Sequence, residues 1–123
     1  VHRLGLSTRV ENHSVIVKVE GELDIATADD LQEHVLSAVE KHGPWLILDL
    51  TNLEFMDSSG LNVVIQAYSA VKERNGSLAL AAPNERVDKV VRLVSLHRQV
   101  PVHHTVPAAV NAIEALEAKQ QAG

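Results

Sequence analysis

Asp57, Ser58 and Ser59, followed by Gly60, set one carboxylate and two hydroxyls side by side between an apolar run at 46–50 and a helical hydrophobic pattern that opens at Leu61. A strand therefore runs into a helix through this polar turn. Side chains at a helix start meet unpaired backbone N–H groups and the positive end of the macrodipole. A serine in that position can cap the helix, act as a nucleophile, or accept a phosphate, whose charge suits a helix N-terminus. The nucleophile reading is the weakest of the three. A nucleophile elbow needs Gly-x-Ser-x-Gly, and here the residues two before Ser58 and Ser59 are Met56 and Asp57. The cap reading is strong for any one of these residues, since Asp and Ser are ordinary N-caps. Three capping oxygens exceed what one helix start needs, and Gly60 removes bulk beside them, which makes the turn a surface of close approach.

Other chemistry finds little support. Of the seven histidines, His103 and His104 are adjacent and cannot both point at one ion from a regular strand, and His97 lies in a polar turn. No His-x-x-x-His pair with an intervening Glu occurs and there is no cysteine, so no metal site is expected and the histidines read as surface groups. The six glycines are scattered singly, without a phosphate-cradling loop, and no cofactor is expected.

The 123 residues suit one domain with a single core. Phe55, Tyr68 and Trp45 are the only aromatic residues, so that core must be aliphatic. Eleven basic against sixteen acidic residues leave a net charge of -5, which speaks against nucleic acid as a partner. No apolar stretch is long enough for a membrane span and no signal-peptide pattern opens the chain, so the expected compartment is the cytoplasm.

The elements that position the serine turn follow from periodicity. Residues 4–10 and 15–19 alternate around Glu11-Asn12-His13-Ser14 and predict an edge hairpin, closed by Gly21-Glu22-Leu23-Asp24. Thr27 reads as the N-cap of a first helix, with Asp30 in capping-box position and Leu31, Val35, Leu36 and Val39 at helical spacing, stopping at His42-Gly43-Pro44. A strand at 45–50 precedes a helix at 61–75, whose stripe is Leu61, Val64, Ile65, Tyr68 and Val71 and whose stop is Asn75-Gly76. A third unit runs from a strand at 77–82 through Pro83-Asn84 to a helix carrying Val87, Val90, Val91 and Val94. A short strand at 99–102 follows, then a helix capped by Thr105 with Val110, Ile113 and Leu116 on one face. The domain is expected to span 1–118, with 119–123 as a flexible tail. Strands alternating with helices predict a single α/β domain with a mixed, mostly parallel sheet, an antiparallel edge hairpin and about four helices. Strand order does not follow from the pattern.

Phe55-Met56-Asp57-Ser58-Ser59-Gly60-Leu61, with the 46–50 strand before it and Gly21-Glu22-Leu23-Asp24 upstream, closely resembles the anti-sigma factor antagonists, bacterial STAS-domain proteins. The resemblance extends over nearly the whole chain in element order and size. It implies that Ser58 is phosphorylated by an anti-sigma factor that is also a serine kinase with bound ATP, and that a serine phosphatase resets it. It also implies that Asp24 lies beside Ser58, and that Asp24, Asp57, Ser58, Ser59 and Gly60 form the partner-binding surface. The unphosphorylated protein would bind the anti-sigma factor and release a sigma factor for transcription. The chain would then be a kinase substrate and not an enzyme. Family members often carry a Ser-Gly-Leu turn after the third helix, where this chain reads Val94-Ser95-Leu96-His97. A STAS assembly or nucleotide-sensing module without a phosphorylation cycle is the alternative reading.

Overall fold

The computed structural model describes residues 4–122. Its elements in order are β1 (Gly5–Glu11), β2 (Ser14–Leu23), α1 (Ala28–His42), β3 (Trp45–Asp49), β4 (Leu53–Met56), α2 (Ser58–Glu73), β5 (Ser77–Ala81), α3 (Glu85–Leu93), a 3-10 turn (Leu96–Arg98), β6 (Val102–His103) and α4 (Val106–Ala122). This is the α/β arrangement expected, with a mixed sheet, one antiparallel hairpin and four helices among the described residues. Sheet order is β1-β2-β3-β5-β6, with β4 paired to β2 outside that path; β1 is antiparallel to β2 and the remaining pairings are parallel. No helix among the described residues is long and apolar enough to cross a membrane.

Strand alternation divides the core between two faces. Val15, Val17, Leu46, Leu48, Leu78 and Leu80 point to the side covered by α1, α2 and α3. Ile16, Ile47, Ala79 and Ala81 point the other way, where Ala109, Val110 and Ile113 of α4 meet them. The absence of core aromatics is made up by strands buried on both faces.

β4 is a strand that periodicity misses. Its four residues are buried at the ends and exposed in the middle, so neither a period of two nor one of 3.6 marks it. Its partner explains it. β2 pairs with β3 from Val15 to Lys18, then reaches Gly21, whose φ is +107°, shifts register, and pairs with β4 from Gly21 to Leu23. Positive φ is cheap for glycine, and the irregularity bends the strand away from one neighbour towards another.

Several helix boundaries differ from those the sequence predicts. α2 starts at Ser58 and not at Leu61, because Asp57 is its N-cap. Its end is as expected, with Asn75 at φ +62° and the Gly76 N–H donating to the Val71 carbonyl at 2.8 Å. Thr27 holds the N-cap position of α1 as expected, but its side chain makes no capping bond: its buried hydroxyl donates back to the Glu22 carbonyl at 2.8 Å and accepts from the Asp24 N–H at 3.0 Å. Leu36, Ile65 and Leu116, read as buried-stripe members, are each more than two-fifths exposed. Val94 lies just past the end of α3 and is exposed as well. The last strand is displaced to Val102–His103, because residues 96–98 wind into the 3-10 turn and Pro101 offers no N–H to a ladder. Thr105 Oγ1 accepts from the Ala108 N–H at 3.1 Å, the cap expected for α4. Lys119 to Ala122, read as a tail, carry helical backbone and are exposed; residues 1–3 of the expected domain and Gly123 of that tail lie outside the described residues.

Ser95 holds φ +60° between α3 and the 3-10 turn, a left-handed conformation that costs an L-residue roughly 1–2 kcal/mol. Glycine adopts it freely but loses more entropy on folding. Ser95→Gly is therefore expected to stabilise the protein by about 0.5–1 kcal/mol in urea or guanidinium denaturation with an unchanged m-value.

Candidate functional site

The polar turn is built on the C-terminal ends of β2 and β4. Leu23 and Met56 are register partners, and the Asp57 N–H donates to the Leu23 carbonyl at 3.2 Å. The residue after β2 is Asp24, so the bend at Gly21 brings Asp24 and Asp57 to the same corner of the molecule although they lie 33 positions apart in the chain. No sequence pattern short of the resemblance could have paired them.

One carboxylate takes the whole cap. Asp57 Oδ1 accepts from the Ser59 N–H at 2.8 Å and from the Gly60 N–H at 3.4 Å. The three oxygens that the sequence offers for capping thus separate. Ser58, first residue of α2, is exposed and its hydroxyl takes no part in the cap. Ser59, half-buried, turns towards a groove of about 320 Å³ between α1 and α2, together with Ile25, Ala28, Asn62 and Val63. Gln32 Nε2 donates to Gln66 Oε1 at 2.7 Å across the two helices that border that groove.

Gly60 faces inward, and its place is beneath the surface. A Cβ there would stand 2.6 Å from Met56 Cγ and 2.7 Å from Leu23 Cγ, both of them buried side chains. The glycine therefore lets α2 start directly on the paired strand ends; it offers nothing to a partner's side chain.

Asp24 organises the loop between β2 and α1. Its Oδ1 accepts from the Ala26 N–H at 2.9 Å, and its carbonyl accepts from the N–H groups of Thr27 and Ala28. With Thr27 pinned below, Ile25 is lifted to the tip of the loop and is 83% exposed. On the other side of the turn, Phe55, Arg86 and Lys89 border an open cleft of about 810 Å³ between β4 and α3. Asn84 closes that side: its Oδ1 caps α3 through the Val87 N–H at 2.8 Å, and its Nδ2 donates to the Leu53 carbonyl at 3.1 Å. Among the described residues no group of three or more His, Asp or Glu side chains could hold a metal ion.

The two supports of the turn are separable by mutation. Gly60→Ala should cost about 2–3 kcal/mol through overpacking against Leu23 and Met56. Asp57→Ala should cost only about 1 kcal/mol, the value of a lost N-cap. Equilibrium denaturation of both variants checks the order, and a Gly60→Ala protein as stable as wild type would remove the packing role.

Comparison with known proteins gives this arrangement a family. The family model of the STAS domain matches residues 6–109. The anti-sigma F factor antagonist of Paenibacillus polymyxa is 31% identical over 117 residues, which are 93% of this chain and 97% of that protein. An anti-sigma factor antagonist from Mycobacterium paratuberculosis shares the fold with a TM-score of 0.84 at 23% identity, covering 91% of this chain and 95% of the other. The phosphorylated form of the Bacillus cell fate determinant SpoIIAA matches with a TM-score of 0.68 at 22% identity, over 90% and 99% of the two chains. From the serine turn outward through sheet and helices, the chain belongs to the STAS domain family and stands among its anti-sigma factor antagonists.

Proposed function

We propose that this protein is a partner switch worked by phosphorylation of Ser58. Unphosphorylated, it binds an anti-sigma factor that carries serine kinase activity, and the sigma factor held by that protein is freed. Phosphorylated, it dissociates, and a serine phosphatase returns it to the binding form. The observation that carries this reading is the division of labour at the start of α2. Asp57 alone satisfies the helix end, so the exposed Ser58 hydroxyl is free to be modified without loss of the cap. A phosphorylated form is also recorded for the structural neighbour SpoIIAA.

The physics of the switch acts on the complex more than on the fold. A phosphate on Ser58 adds about -1.5 to -2 charges at pH 7 and suits a helix N-terminus, which keeps the monomer intact. The same charge stands at a corner that already holds Asp24 and Asp57, in a chain of net charge -5. An interface formed there must bury the phosphate next to carboxylates, and both repulsion and desolvation oppose it. The contact surface in this reading comprises Asp24, Ile25, Ser58 and Ser59, with Asp57 and Gly60 as its supports. Ile25 is the apolar anchor, since a large aliphatic residue at an interface centre gains most when water is removed from it.

Intact-mass measurement after incubation with ATP and the anti-sigma kinases of the source organism is the direct test. One phosphate on wild type and on Ser59→Ala, and none on Ser58→Ala, is the expected result. Ser58→Asp should stay within about 1 kcal/mol of wild-type stability while weakening the anti-sigma complex at least about tenfold, roughly 1.4 kcal/mol. Ile25→Ser should weaken it comparably with no loss of stability. A folded wild-type protein that gains no phosphate from any of these kinases would overturn the switch.

A further inference from the structure

The helix α4 is held differently from the other three. α1, α2 and α3 share one side of the sheet, where α1 and α2 also pack on each other; α4 covers the other side and has β3 and β5 as its main neighbours. Its contact is short and made of four residues: Val106, Ala109, Val110 and Ile113. After Ile113 the inward stripe fades, with Leu116 42% exposed and 118–122 wholly at the surface.

Two polar atoms are trapped on that same side. Val15 and Val102 belong to the opposite core, so alternation turns their neighbours Ser14 and His103 towards the α4 side. Ser14 Oγ and His103 Nε2 are both buried there without a hydrogen-bond partner. A buried polar atom left unpaired opposes the closed state, and it regains a partner when water enters. Working for closure, the β1–β2 hairpin tip reaches across to α4. Asn12 Nδ2 donates to Glu114 Oε1 at 2.7 Å, and Glu117 Oε2 accepts from His13 Nδ1 at 2.6 Å.

We propose that α4 is a releasable cover, latched by Asn12 and His13, which leaves the sheet as a unit in an equilibrium separate from global unfolding. Release uncovers Ile16, Ile47 and Ala79 and leaves the Asp24–Ser58 corner standing, because that corner rests on Leu23, Met56 and the opposite core. Helices in proteins draw most of their stability from tertiary packing, so a released α4 loses amide protection.

Hydrogen-exchange mass spectrometry on the full chain reads this directly, with Trp45 as a second reporter. Trp45 is the single tryptophan, is half-buried against the α4 cluster, and shares a small cavity with Leu116 and Gln120. Amides of 110–114 are expected to exchange at least about tenfold faster than those of 46–48. The double variant Asn12→Ala/His13→Ala should speed them by about three- to tenfold, the scale of exposed polar contacts, and should raise acrylamide quenching of Trp45 while 46–48 stay unchanged. Ser14→Ala, which removes one trapped atom, should slow α4 exchange. Amides of α4 that exchange at the rate of β3, and move with it in the double variant, would overturn the proposal. Faster α4 exchange in Ser14→Ala would do the same.

Discussion

The packing of Gly60 onto Leu23 and Met56 is the contact on which the rest depends. Two strand ends from different parts of the chain lie in register, and a helix begins on top of them without displacing Leu23 or Met56 only where residue 60 carries no side chain. That contact sets the height of α2 above the sheet, and with it the place of the Asp57 cap and the Ser58 hydroxyl. It in turn depends on Gly21, whose positive φ lets β2 leave β3 and meet β4. Two glycines thus transmit strand geometry into the presentation of one serine. Neither touches a partner in the proposed switch, and both are needed to present it.

Adjacent residues keep stability and signalling apart. Asp57 spends its carboxylate on the backbone of α2, and Asp24 spends one oxygen on the loop that raises Ile25. Each carboxylate thus serves twice in the proposed switch: as a local hydrogen-bond acceptor in the monomer and as a group that a phosphate on Ser58 would have to face. Because the cap does not pass through Ser58, the proposed modification would alter the surface without removing the bonds that hold the start of the helix. Thr27 contributes from below, its buried hydroxyl bonded on both sides to the loop it anchors.

The two sides of the sheet have different characters. Three helices and branched aliphatic side chains hold the side that supports the serine turn, while one helix with an alanine-rich contact holds the other. The side with the larger core carries the serine turn.

Much of this molecule is decided by local pattern, and was legible as such. The alternation around Glu11–Ser14, the helical stripes, the stop at Asn75-Gly76 and the Thr105 cap depend on neighbours a few residues away, so composition and spacing determine them. The Met-Asp-Ser-Ser-Gly run likewise marks the proposed switch by its own residues. Other features have their physical cause far along the chain. β4 exists because β2 bends to meet it, the hydroxyl of Thr27 bonds the loop and not the helix start because the Glu22 carbonyl lies within its reach, and Leu36, Ile65 and Val94 stand in water because no element covers their side. The pairing of Asp24 with Asp57 and the separation of Ser58 from Ser59 belong to this second class. Hydrogen-bond register and close packing between distant segments exist only once the chain has folded, so the tertiary structure alone decided them.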